Sequence, residues 1–79
     1  MTFPVYRKYT NGQSLFKIVS HTEFIELKRF RNSWDRYEFE AKIFPDKQLI
    51  ADMIEMRDAL WVEVDGMEFE LISNGLPEL

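Results

Sequence analysis

The chain of 79 residues contains no cysteine. That excludes disulfide staples, thiolate zinc sites and a cysteine nucleophile. His21 is the single histidine, so neither a two-histidine metal motif nor a conventional catalytic triad is in view. It reads as a turn residue beside a cap rather than a metal ligand or general base. Three glycines, widely spaced, cannot build a phosphate-cradling loop. No apolar run approaches the ~20 residues of a membrane-spanning helix, so no membrane role is expected. The opening "MTFPVYRKYTNG" has basic residues but no apolar region behind them, so it does not read as a secretory signal. These absences predict a cytoplasmic, non-enzymatic protein with no cofactor and no metal.

What is present is a core. Apolar residues make up 46% and aromatics 15%, which sets the chain apart from disordered sequences. At this length one domain over 1–79 is expected. Charge is unevenly spread. Residues 1–47 carry nine Lys/Arg against six Asp/Glu, and residues 48–79 carry one Arg against eight Asp/Glu. The basic first part and the acidic last part can attract each other within the fold, or face different partners.

Residues 4–19 predict a hairpin. Asn11-Gly12 lies between "VYRKYT" and "QSLFKIV", and Asn-Gly favours a two-residue turn with positive φ at both positions. That turn sets Val5 against Ile18, Tyr6 against Lys17 and Arg7 against Phe16. Val5, Phe16 and Ile18 then share a core face, while Tyr6, Lys8, Leu15 and Lys17 share the other. Ser20-x-x-Glu23 has the form of a capping box and predicts a turn at 20–24 before a strand at 25–31. "RYEFEAKI", 36–43, alternates strictly and predicts a strand with Tyr37, Phe39, Ala41 and Ile43 facing the core. It should pair with 25–31 through a loop at 32–34. Of two registers that keep the apolar faces together, the one opposing Lys28 to Glu38 and Arg31 to Asp35 is favoured over the one opposing Lys28 to Arg36, on charge.

A helix is predicted over 46–58, opened by Pro45 and Asp46, with Leu49, Ile50, Met53 and Ile54 on one stripe. Arg57 falls inside that stripe, so either the helix ends before it or its stem lies along the core edge. Residues 60–64 predict a strand. For 66–74, a cap at Asp65 and a stop at Asn74-Gly75 and Pro77 favour a helix over the second strand of a hairpin. The resulting fold class is α+β: a mainly antiparallel sheet of about five strands, one amphipathic helix packed on one face, and a short C-terminal helix.

At "YRKYTNGQSLFKI" and "FEAKIFPDKQLIADMIE" the chain resembles small uncharacterised bacterial proteins of about this length. The resemblance spans most of the chain and rests on packing patterns. It implies a compact cytoplasmic bacterial domain, and it brings no activity and no site residues.

Two acidic sets read as solvated faces: Glu38 and Glu40 flanked by Arg36 and Lys42, and Asp52, Glu55 and Asp58 along a helix. The candidate binding residues are basic and aromatic. Arg29, Arg31, Trp34, Arg36 and Tyr37 gather around the second loop, and Tyr6, Lys8 and Lys17 share a face of the first hairpin. Trp and Arg dominate protein-binding hot spots, so Trp34 at a loop tip, with Arg29 and Arg31 beside it, is expected to anchor a protein partner. The alternative is nucleic-acid binding by a basic aromatic sheet. Two further readings are self-association through the first or last strand edge and an acidic inhibitor that mimics phosphate.

Overall fold

A computed structural model describes residues 2–75. Five strands form one antiparallel sheet: β1 (Val5–Tyr9), β2 (Ser14–Ile18), β3 (Glu23–Phe30), β4 (Ser33–Glu40) and β5 (Trp61–Glu63). Their spatial order is β4-β3-β2-β1-β5. Helix α1 (Phe44–Glu55) follows β4, and α2 (Gly66–Asn74) follows β5. The α+β arrangement expected from the sequence is the one found.

The β1–β2 register is the predicted one, with Val5 opposite Ile18, Tyr6 opposite Lys17 and Arg7 opposite Phe16. The turn differs. It covers Thr10–Gln13, the Gly12 amide donates to the Tyr9 carbonyl at 2.8 Å, and among these residues Gly12 alone has positive φ (75°). Glycine takes that conformation without a Cβ penalty, and Asn11 stays at negative φ with its side-chain oxygen on the Gln13 amide at 2.9 Å. The Ser20–Glu23 box caps no helix. The Ser20 hydroxyl instead accepts from the Thr22 amide at 3.1 Å, and β3 begins at once, at Glu23.

The helices lie on opposite faces of the sheet, a placement that the sequence left open for α2. On one face Ile50, Met53 and Ile54 of α1 pack with Phe16, Ile18, Phe24 and Trp61. On the other, Phe69 of α2 packs with Leu15 and Leu27. Burial on both sides explains why β3 carries Phe24 on one face and Ile25 and Leu27 on the other. It also explains the β3–β4 register, which matches neither prediction. Phe24 pairs with Phe39, Glu26 with Tyr37, Leu27 with Arg36 and Lys28 with Asp35. Both predicted registers aligned Ile25 and Leu27 with the Tyr37–Phe39 face. A strand's side chains alternate, so an odd-numbered slip reassigns every one of them.

α1 starts two residues earlier than predicted, with Pro45 in its first turn, and ends at Glu55. Met56, at φ 54°, closes it in the left-handed conformation with its amide on the carbonyls of Asp52 and Met53. Arg57 therefore lies beyond the helix, where its guanidinium meets Asp52 at 3.6 Å and Glu55. The last carbonyls of α1 are satisfied from β1. Arg7, only 9% exposed, donates from Nε to Met53 O at 3.1 Å and from Nη2 to Ile54 O at 2.9 Å. A cation there complements the negative end of the helix dipole.

α2 spans the predicted residues. Asp65 caps it, accepting from the Met67 amide at 2.9 Å; Pro77 of the predicted stop lies outside the described residues. Gly66 opens the helix against the Tyr6 ring, where a Cβ would sit 2.6 Å from Cε2.

Candidate functional site

The residues singled out in the sequence separate into two groups. Tyr6, Lys8, Lys17, Arg29, Trp34 and Arg36 all project from the face of the sheet that carries α2, as the registers of β1 through β4 dictate. The helix covers part of that face. Glu70 of α2 accepts from the Tyr6 hydroxyl at 2.8 Å and from Lys17 Nζ at 2.6 Å. Tyr6 and Lys17 are therefore committed inside the fold, as the attraction between basic and acidic halves foreshadowed. Their ionisation reflects it. The hydrogen bond to Glu70 holds Lys17 protonated above its usual range, and burial together with that bond raises Tyr6. The bonds from Lys17 and Tyr6 hold the Glu70 carboxyl below the usual glutamate range. Lys8 lies half-buried between Leu15 of β2 and Val62 of β5.

The second group sits on the β3–β4 hairpin. Its connection is two residues, Arg31-Asn32, with Arg31 at φ 57°. The shorter loop places Trp34 inside β4, opposite Arg29, rather than at a loop tip. Trp34 packs half-buried against the Leu15–Leu27–Phe69 cluster, and the Arg29 guanidinium lies over its ring at 6.0 Å. The aromatic at the tip is Phe30, 60% exposed, with the Arg31 guanidinium 5.4 Å from its ring centre. Arg36 pairs with Glu38 along the same strand at 3.2 Å.

Two core assignments on this strand are corrected. Tyr37 is 50% exposed and stays outside the α1-side cluster that takes in Phe39. Ile43 lies beyond the strand as the exposed N-cap residue of α1. Phe39 and Ala41 do reach the core, Phe39 stacked on Phe24 at 4.8 Å.

β4 is an edge of the sheet, eight residues long, and along it Trp34 and Phe39 are half-buried and the other six residues exposed. Its backbone polarity can be read from its neighbours. The Ala41 amide donates to Thr22 O at 2.6 Å, on the β3 side. Alternation along an antiparallel strand then directs the backbone groups of Ser33, Asp35, Tyr37 and Phe39 toward β3. Those of Trp34, Arg36, Glu38 and Glu40 point outward. The opposite edge, β5, offers three residues. β1 lies between β2 and β5, so the first strand supplies no free edge.

Beside the far end of β4 is a shallow depression of about 310 Å³ lined by Val19, Glu23, Phe24, Ile25, Glu38, Phe39 and Glu40. Glu23 and Glu40 are cross-strand partners there, a like-charged pair. Among the described residues no group of His, Asp and Glu is arranged to hold a metal ion, and no helix is long and apolar enough to cross a membrane. His21 sits exposed in the turn before β3, with the Phe3 ring edge-on at 5.0 Å. Of the acidic C-terminal residues, Asp52 and Glu55 meet Arg57, Asp65 caps α2 and Glu70 holds Lys17.

A scan against models of known families, a search of the curated proteins and a search of the solved structures each found no match to this chain.

Proposed function

We propose that this is a non-enzymatic interaction protein that engages a protein partner through the β3–β4 hairpin and the free edge of β4. The observation that carries the reading is an eight-residue edge strand on which Tyr37 is exposed, with Phe30 exposed beside it at the end of β3. Unpaired outward N–H and C=O groups supply affinity by strand addition, and side chains of alternating face supply specificity. Sequence reasoning put the anchor at Trp34; the exposed aromatics Phe30 and Tyr37 replace it. Nucleic-acid binding keeps Arg29, Arg31 and Arg36 but loses Tyr6 and Lys17, which Glu70 holds under α2.

The test is site-specific photocrosslinking in cells. A benzophenone side chain is placed at Phe30 or Tyr37, and at Leu60 or Met67, which are equally open but remote from β4. Discrete protein adducts at 30 and 37 that are absent at 60 and 67 are the expected outcome. Adducts that ignore position would overturn the reading. Adducts lost to nuclease treatment would do so in favour of nucleic acid.

A further inference from the structure

One oppositely charged pair on β4 is placed symmetrically about a single residue. The strand reads Ser33-Trp34-Asp35-Arg36-Tyr37-Glu38-Phe39-Glu40. Arg36 and Glu38 flank Tyr37, carry opposite charge and project from the same face. We propose that β4 pairs with β4 of a second copy of this chain, antiparallel, about a two-fold axis through Tyr37, joining the two sheets edge to edge. This rests on the reading of β4 as an interaction edge and names its occupant.

The register follows from backbone and charge together. Trp34, Arg36, Glu38 and Glu40 direct their backbone groups outward, so these residues must form the hydrogen-bonded pairs of any antiparallel partnership. An axis at Tyr37 does this. Arg36 of one copy opposes Glu38 of the second, and Trp34 opposes Glu40. Tyr37 meets its own counterpart in the close, non-hydrogen-bonded position, and Asp35 falls beside Phe39. No like charges oppose each other. Moving the axis to Arg36 sets Arg36 against Arg36, and moving it to Glu38 sets Glu38 against Glu38; directly opposed like charges are unfavourable.

Edge strands are commonly blunted by charge, proline or bulges. β4 has charge alone, without proline or a bulge. In the antiparallel pairing about Tyr37 that charge meets no like charge directly, and Arg36 falls opposite Glu38. The Arg36–Glu38 contact within each strand, 3.2 Å with both side chains exposed, is exchanged for one across the axis, so two contacts within copies become two between them. The faces agree as well. The two Tyr37 rings meet on the α1 side, outside the cluster that takes in Phe39, and the ion pairs lie on the α2 side. A two-fold contact of this kind is isologous and closes after two copies.

The experiment is sedimentation velocity over a range of concentrations, with four samples. The wild type is expected to associate to a dimer as concentration rises. Arg36→Glu opposes a carboxylate to Glu38 of the second copy, and Glu38→Arg opposes a guanidinium to Arg36, so each single variant is expected to remain monomeric. In a mixture, one copy of each variant can pair with two acidic side chains on one strand facing two basic ones on the other, and a heterodimer is expected. Positions 36 and 38 are exposed, so the fold survives the changes, which circular dichroism confirms. A wild type that stays monomeric throughout overturns the proposal, as do single variants that dimerise like the wild type or a mixture that does not associate. A monomer that still gives position-specific adducts at Phe30 and Tyr37 to another protein would sink self-pairing alone. A monomer without such adducts would sink the interaction edge with it.

Discussion

The two faces of the sheet hold their helices by different means. α1 is held by three buried side chains, Ile50, Met53 and Ile54, and by Arg7 on its last carbonyls. α2 buries one, Phe69, helped by Ile72 and by the Glu70 contacts to Tyr6 and Lys17. An attachment shared among several apolar groups tolerates the loss of one. An attachment concentrated in a single ring does not.

The largest expected effect tests that difference. Phe69 is 1% exposed, and Phe69→Ala should cost about 3–5 kcal/mol, the range for truncating a buried phenylalanine. It should also free α2 locally, so amide exchange over 66–74 accelerates ahead of the sheet. Met53→Ala should destabilise globally by about 2–5 kcal/mol while α1 keeps exchanging with the rest of the core. Comparable local exchange in both variants would contradict the contrast.

Arg7 gives the next effect, on the α1 face. Its guanidinium also donates to Tyr6 O at 2.9 Å, so three carbonyls depend on it. Arg7→Met fills the space but removes all three bonds; Met53 O keeps the Met56 amide, and a buried acceptor that loses its donor costs about 1–3 kcal/mol. Arg7→Lys should recover only part, because an ammonium cannot span the three positions that the planar guanidinium reaches. Urea unfolding of both variants measures this, and a Lys variant as stable as the wild type would remove the capping role.

How far the sequence anticipated these attachments depends on how local they are. The β1–β2 register followed from alternation around one turn. The extent of α2 followed from Asp65 and Gly75 at its ends. The stripe of α1 followed from helical spacing. What escaped was the contact between distant segments. Arg7 reaches Met53 and Ile54, and Tyr6 and Lys17 reach Glu70, with no nearby residue to mark the pairing. One signal for the two-sided sheet was present: β3 has Phe24 on one face and Ile25 and Leu27 on the other, more apolar surface than a strand covered on one side requires. Arg7 at a core-facing position of β1 was a second signal, since a buried guanidinium calls for acceptors. At the candidate site, the basic and aromatic residues of the hairpin were legible. Which of them remain open was not, because that is decided by where the two helices stop.

The smallest effect sharpens the comparison through pH. Glu70 is held below the usual glutamate range by Lys17 first and Tyr6 second, so the unfolded chain binds this proton more readily than the folded one. The stabilisation it brings is therefore complete above the ordinary glutamate value of about 4.3 and is lost as pH falls through the lower folded value. Lys17 and Tyr6 are both raised, so their share is complete below about pH 9 and is lost as pH rises through the folded values. The pair is partly open, with side chains 25% and 37% exposed, and solvent screening limits its contribution to about 1 kcal/mol or less. A guanidinium stays charged across this range, so the attachment of α1 should be flat where that of α2 is domed. Denaturation of wild type and Glu70→Gln at neutral and acid pH tests this. The stability difference should be greatest near neutrality and shrink toward about pH 3, below the ordinary glutamate value. A difference that grows on acidification would show that the carboxylate opposes the attachment of α2.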